Sequence, residues 1–97
     1  MTTQTDLYMA EAILGRDAQE FVNTDLGQYL VGRANQEKKD ALEQLGRVSP
    51  WRRNRIRDLQ ARVWRAESFL IWIDELITSG NQAEQELEAD RQRQLES

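Results

Sequence analysis

The fold is decided by the stretch IRDLQARVWRAESFLIWIDELI, residues 56–77, because its apolar residues recur at helical spacing. Seven of them follow one another in alternating steps of three and four: Ile56, Leu59, Val63, Ala66, Leu70, Ile73 and Ile77. Such steps place side chains along one face of an α-helix, which we call the seam. The seam predicts a long helix packed along a second helix. An intramolecular hairpin core is the leading interpretation, and an intermolecular coiled coil is the alternative.

Helix-ending signals on both sides of this stretch predict an antiparallel hairpin. Thr24 is the predicted N-cap of a helix over about 25–45. The segment Gly46–Pro50 predicts the end of that helix, and its serine and proline predict the cap and first residue of the next, over about 50–79. Gly80 is the predicted stop of this second arm. Because the connection is short, the two arms run antiparallel.

Weaker patterns flank the hairpin at both ends of the chain. Apolar residues from Leu7 through Leu14 to Phe21 predict an N-terminal helix packed on the hairpin, and Gly15 is expected to kink or split it. A short polar helix is predicted over about 82–95, and we expect residues 82–97 either to fray or to become ordered against a partner. The whole chain, residues 1–97, is predicted to be one all-α domain.

Composition excludes several classes of function. The 97 residues include no cysteine and no histidine, which excludes disulfides, zinc sites built on these residues and nucleophiles paired with histidine. The sequence also has no glycine-rich phosphate loop and no calcium-binding loop. We therefore expect no enzymatic activity, no metal and no cofactor. Since no 18-residue apolar stretch and no secretory signal occur, we expect no membrane association and a cytoplasmic site of action.

Charge is distributed unevenly along the chain, and this is the main clue to function. Residues 46–65 contain seven arginines and one aspartate, a net charge of +6, whereas residues 66–97 contain eight acidic residues and two arginines, a net charge of −6. Arginine side chains suit carboxylates, phosphates and aromatic faces, and two tryptophans are interleaved with them. The predicted partner-binding residues are Trp51, Arg52, Arg53, Arg55, Arg57 and Trp64.

Several interpretations of these residues stay open. The arginines either stay solvated or pair within the chain or with the acidic tail of the same or a neighbouring chain, or they bind an acidic protein, or they clamp a nucleic acid or a small anionic nucleotide together with the tryptophans. The tryptophans also have structural interpretations, with Trp51 covering the end of the hairpin core and Trp64 packing under the N-terminal helix. The net charge of −4 argues against a dedicated binder of duplex nucleic acid, so a protein partner is the leading functional interpretation.

Residues 69–77 are apolar nearly all round their helix. A helix that is apolar on all sides needs cover from more than one neighbour. We therefore predict a homo-oligomer, most simply a dimer, whose interface contains the residues that lie off the seam: Phe69, Ile71, Trp72 and Leu76. Asp74 and Glu75 interrupt the segment, and we expect them to reach solvent or to pair with Arg16 or Arg33 because burying an unpaired carboxylate is costly.

Three stretches resemble small helical accessory proteins of tailed bacteriophages and prophages. They are DLGQYLVGRA at residues 25–34, IRDLQ at residues 56–60 and AESFLIWI at residues 66–73, and the similarity spans about residues 14–80. The family has no assigned chemistry, so the resemblance carries over no functional residues. It implies a phage accessory protein that acts through contacts in the host cytoplasm. Its partner would be a virion component or a host protein that is redirected or inhibited.

Overall fold

The computed structural model describes residues 3–96, which form three α-helices. They are α1 (Gln4–Asn23), α2 (Asp25–Arg47) and α3 (Arg53–Glu96). The described residues contain no strand, so the prediction of an all-α fold is confirmed. None of the helices in this part of the chain combines the length and the apolar character needed to cross a membrane.

The helices group into two compact units of opposite charge. The basic unit, Thr24–Trp72, contains α2 and the first part of α3, with ten basic and six acidic residues and a net charge of +4. The acidic unit comprises the described residues of Met1–Asn23 and Ile73–Ser97, where three basic and eleven acidic residues give a net charge of −8. The division into two units does not test the prediction that residues 1–97 form one domain, which stays a prediction.

In the basic unit, α2 and α3 form the antiparallel hairpin predicted from the sequence. The guanidinium of Arg55 donates a hydrogen bond to the side chain of Gln44. Nearer the middle of α2, Lys38 forms an ion pair of 3.3 Å with Glu67. As the residue number falls along α2 it rises along α3, which is the signature of antiparallel arms.

The two ends of α2 agree with the prediction to different degrees. Thr24 caps the helix as predicted, because its hydroxyl oxygen accepts the backbone N–H of Gly27 at 3.0 Å. Gly46 does not stop the helix: it lacks the positive φ of a glycine stop, and α2 continues to Arg47. The predicted cap and first helical residue belong instead to a turn, Ser49–Arg52, in which proline takes the second position that suits its fixed φ. The second arm therefore begins at Arg53, not at residue 50.

The seam faces inward along α3, as predicted. Leu59 is 0% exposed and Ala66 is buried, while the other members are half-buried: Ile56, Val63, Leu70, Ile73 and Ile77. On α2, Ala34 and Ala41 are buried at a spacing of seven residues, the repeat of a helix packed along another. These small side chains let the two arms of the basic unit approach closely. The hairpin-core interpretation is therefore confirmed for the seam residues of the basic unit, whereas Ile73 and Ile77 belong to the acidic unit.

In the acidic unit, α1 packs against α3 through a contact between two glycine backbones. A Cβ added to Gly15 would lie 2.6 Å from the Cα of Gly80 and 2.7 Å from the carbonyl oxygen of Leu76. A Cβ added to Gly80 would lie 2.6 Å from the Cα of Gly15. The flanking buried residues are also small: Ala12, Ala18 and Ala83.

This contact corrects three predictions. Gly15 does not kink or split α1, and Gly80 does not end α3, because both glycines are required by the closeness of the other helix rather than by a change of chain direction. The arm predicted over 50–79 and the separate helix predicted over 82–95 are one helix that runs to Glu96. Fraying of this end stays a prediction, and Ser97 lies outside the described residues.

The inward face of α1 also differs from the predicted stripe. Leu7 and Leu14 are more than half exposed, because the face turned to α3 is the one that carries Gly15. Arg16 pairs with Glu84 at 3.0 Å rather than with Asp74 or Glu75. Those two carboxylates are exposed, which satisfies the other expectation stated for them.

The glycine contact predicts opposite effects for two pairs of Gly→Ala substitutions. Gly15→Ala or Gly80→Ala should lower the free energy of unfolding by about 1–3 kcal/mol, because the added methyl group meets backbone atoms and forces α1 and α3 apart. Gly32 and Gly46 lie in a helix with open space around a built Cβ. Gly32→Ala and Gly46→Ala should therefore raise stability by about 0.5–1 kcal/mol. Urea unfolding followed by circular dichroism measures all four, and equal stability of Gly15→Ala and Gly32→Ala would refute the contact.

The burial of the seam predicts a large effect at Leu59. Leu59→Ala should lower the free energy of unfolding by about 2–5 kcal/mol, since it leaves a cavity where no solvent reaches. Ile71→Ala is the matched control on the same helix, because Ile71 is half exposed and should cost about 1 kcal/mol or less. The same urea titration tests both, and a smaller loss for Leu59→Ala than for Ile71→Ala would show that the seam faces elsewhere.

Candidate partner-binding surface

Three of the six predicted partner-binding residues share one exposed face of α3. At about 100° per residue, Arg53, Arg57 and Trp64 fall within about 40° of one another and roughly 120–160° from Leu59. All three are exposed, and Trp64 is exposed by 70%. We call this set the outer stripe. It lies well away from the face that packs on α2, so its side chains are available to a partner.

Trp51 and Arg52 lie in the turn immediately before the outer stripe. Trp51 is 87% exposed and borders a shallow depression of about 450 Å³ together with Arg52 and Arg53. This exposure contradicts the interpretation in which Trp51 covers the hairpin core. The exposure of Trp64 likewise contradicts its packing under the N-terminal helix. Neither indole therefore serves as a core residue.

Arg55 is separated from the other predicted arginines. It is half-buried, and its guanidinium contacts Asp58 at 3.2 Å as well as Gln44. Asp58 also pairs with Arg62 at 3.1 Å. The contact with Gln44 joins α2 to α3 and holds Arg55 in the hairpin, whereas both pairs of Asp58 lie within α3. The part of Arg55 in binding a partner stays a prediction.

The six arginines between residues 52 and 65 fall into a paired and an unpaired set. Arg55 and Arg62 pair with Asp58, and Arg65 pairs with Glu37, all within the basic unit. Arg52, Arg53 and Arg57 have no carboxylate partner within residues 3–96. The interpretation of intramolecular pairing therefore holds for the first set alone. The second set, next to exposed indoles, retains its full capacity to bind an anionic group.

A groove between α2 and α3 lies beside this surface and was not predicted from the sequence. It has a volume of about 820 Å³, and its charged lining consists of three arginines and three carboxylates: Arg33, Arg62, Arg65, Glu37, Asp40 and Asp58. Equal numbers of both signs give the groove no net preference for an anion. The fold brings these residues together from two helices, so no local pattern in the sequence could reveal them.

The residues predicted at a homo-oligomer interface are largely accessible. Trp72 is 63% exposed, Ile71 and Leu76 are also exposed, and Phe69 is half-buried. Trp72 and Ile71 belong to the basic unit, whereas Leu76 belongs to the acidic unit. Exposed indole and aliphatic groups are consistent with further cover by another chain. Their place at a homo-oligomer interface stays a prediction.

The sequence analysis missed a second exposed face, on α1. Asp6, Met9, Ile13, Asp17 and Glu20 lie roughly 120–200° from Gly15 and therefore on the side turned away from α3. We call this set the α1 outer face. It combines two large apolar side chains with three carboxylates. Its spacing of three and four residues was visible in the sequence, but the predicted stripe through Leu7 assigned the wrong face to the interior.

Comparison with known proteins adds no family to these observations. No protein-family model matches the chain, and neither the curated proteins nor the solved structures searched include a significant match. Within residues 3–96, no cluster of three or more acidic side chains is arranged to hold a metal ion. The geometry of the exposed faces is therefore the basis for a functional proposal.

The exposure of the indoles predicts that they contribute little to folding. Trp51→Ala and Trp64→Ala should each change the free energy of unfolding by no more than about 0.5 kcal/mol, the usual range for a surface position. Urea unfolding of both variants checks this, with Leu59→Ala as the destabilised reference. A loss above about 2 kcal/mol for either tryptophan would place that indole in a core.

Proposed function

We propose that this protein is a non-enzymatic interaction module that binds an acidic surface of another protein through its outer stripe and the adjoining Trp51 and Arg52. The observation that carries the proposal is the set of three exposed arginines without carboxylate partners beside two exposed tryptophans. Arginine and tryptophan are the residues most enriched where a few side chains dominate the energy of a protein interface.

Physical chemistry favours a partner for this surface over solvent alone. Two indoles exposed by 70% and 87% keep large apolar areas in water, and covering them is favourable. The guanidinium groups between them orient a carboxylate-bearing surface through paired hydrogen bonds. Together these groups offer a partner an apolar contact area and favour a partner that carries carboxylates.

The resemblance to phage accessory proteins supports a more specific form of the proposal. In that setting the partner is a virion component or a host protein, and inhibition of a host protein is one outcome of binding. The exposed side chains of Ile71, Trp72 and Leu76 support self-association of the module. A cytoplasmic site of action, in the host for a phage-encoded chain, belongs to the same proposal.

Binding of nucleic acid or a small anionic nucleotide is the second candidate. The observation that favours it is Trp51, an indole 87% exposed beside Arg52 and Arg53, which is an arrangement suited to stacking a base. Against it stands the acidic unit, whose net charge of −8 repels a polyanion at long range. A protein partner with a local acidic patch avoids most of this repulsion.

Charge reversal on the outer stripe tests the proposal. R53E/R57E should reduce the capture of acidic partner proteins from host lysate by at least about tenfold, because two unpaired guanidinium groups become carboxylates. R33E/K39E is the matched control, since it changes the net charge of the basic unit equally at exposed positions of α2. Quantitative mass spectrometry of captured proteins is the measurement, and circular dichroism verifies that both variants keep their helicity.

The salt dependence separates the two candidates. Binding to a protein should weaken moderately with salt, whereas log affinity for a labelled single-stranded oligonucleotide should fall linearly and steeply with log salt if nucleic acid is the ligand. Equal capture by R53E/R57E, R33E/K39E and the unaltered protein would refute binding through the outer stripe. If all three proteins capture the partner equally and capture is lost when residues 82–97 are deleted, the acidic end of α3 is the binding surface.

A further inference from the structure

The α1 outer face has the chemistry that the proposed function assigns to a partner of the outer stripe. We propose that the α1 outer face of a second copy of this chain packs antiparallel on the outer stripe of α3. The inference rests on the proposed function because it uses the same stripe. It differs from the oligomer predicted through residues 69–77 in the surface used and in the charges that form it.

The α1 outer face has apolar residues between carboxylates. Met9 and Ile13 are exposed by 51% and 56%, and they are flanked by Asp6 on one side and by Asp17 and Glu20 on the other. Asp17 and Glu20 have no ion-pair partner within residues 3–96. The face therefore offers two unpaired carboxylates and a patch of apolar surface, which complement two unpaired guanidinium groups and an exposed indole.

The spacing along the two helices matches when they run antiparallel. The midpoint of Arg53 and Arg57 lies about 13–14 Å from Trp64, at 1.5 Å per residue. The midpoint of Asp17 and Glu20 lies about 14 Å from Met9 on the same measure. Setting the arginines opposite these carboxylates thus brings the indole of Trp64 opposite the thioether of Met9, a favourable contact between sulfur and an aromatic ring.

A parallel arrangement gives a poorer match. With Ile13 opposite Trp64, only Asp6 reaches the level of the two arginines. Asp17 then lies near the level of Ser68, and Glu20 lies near that of Ile71, where the exposed side chain of α3 is apolar. Carboxylates against an apolar surface lose hydration without gaining a cation, which is unfavourable. The direction of the helix pair is therefore part of the proposal.

The charges of the two units favour this contact between copies. The basic unit carries +4 and the acidic unit −8, so the basic unit of one copy attracts the acidic unit of another at long range. Every copy carries both faces, so each copy can offer its α1 outer face to the outer stripe of another. The Asp6 carboxylate takes a smaller part, since it also accepts the backbone N–H of Thr3 at 3.3 Å at the start of α1.

Reciprocal charge reversal on the full-length chain tests the inference. R53E/R57E places carboxylates on both faces of a copy, and D17R/E20R places guanidinium groups on both. Each variant alone should show a dissociation constant for self-association at least about 100-fold higher than that of the unaltered protein, because like charges meet where the two faces pack. An equimolar mixture of the two variants should associate again, since every contact in a mixed pair joins opposite charges. Sedimentation velocity at low salt measures all three samples.

Two further variants distinguish a loss of self-association caused by charge from one caused by misfolding. A chain with all four reversals should self-associate again, because its stripe is acidic and its α1 face is basic. E86R/E96R adds the same charge as D17R/E20R at exposed positions of α3, and it should keep the association of the unaltered protein. A monomeric unaltered protein at high micromolar concentration, or a mixture that stays dissociated, would overturn the inference.

The outcomes also separate this inference from the proposed function. If R53E/R57E loses its acidic partner from lysate but self-associates normally, the second copy is not the occupant of the stripe and the proposed function stands. If the variant loses self-association but captures every partner normally, the proposed function is wrong and the contact between copies stands.

Discussion

The close approach of the α1 and α3 backbones at Gly15 and Gly80 is the constraint on which the acidic unit depends. A Cβ built at either glycine would lie only 2.6 Å from the opposing Cα, so the contact leaves no room for a side chain at either of these two positions. The basic unit uses a related device, because the buried positions of α2 include Ala34 and Ala41. In both units, small residues bring helices together, and the attraction comes from dense packing of backbone and methyl groups.

This mode of packing has a consequence for the large apolar side chains. Among the described residues, the buried apolar positions are six alanines and Leu59, so most leucine, isoleucine and tryptophan side chains lie on outer faces. The indoles are the largest apolar groups of the chain, and because they lie on the surface, only another molecule can cover them. These exposed apolar side chains are the groups on which the proposed contacts with other chains rest.

Charge distinguishes the two outer faces from each other. In the basic unit, Asp58 and Glu37 engage the arginines near α2, and the arginines of the outer stripe are left without carboxylate partners. Exposed ion pairs contribute little to stability, so this division has more influence on binding than on folding. The acidic α1 outer face has the opposite combination, with carboxylates around Met9 and Ile13. In the contact that we propose between copies, such complementary faces would raise the encounter rate and disfavour partners of like charge.

The sequence by itself determined the all-α class, the hairpin and the inward seam, because helical periodicity and the Thr24 cap are local properties of the chain. It also located the basic segment correctly, since charge is read directly from composition. Tertiary structure decided what local signals could not. Gly15 and Gly80 resemble helix breakers in the sequence, yet the neighbouring helix requires a residue without a side chain at each place. Arg55 resembles Arg53 in the sequence, but the position of Gln44 on α2 holds one in the hairpin while the other stays exposed. In each case the deciding partner lies on another helix, at a distance along the chain that no local pattern encodes.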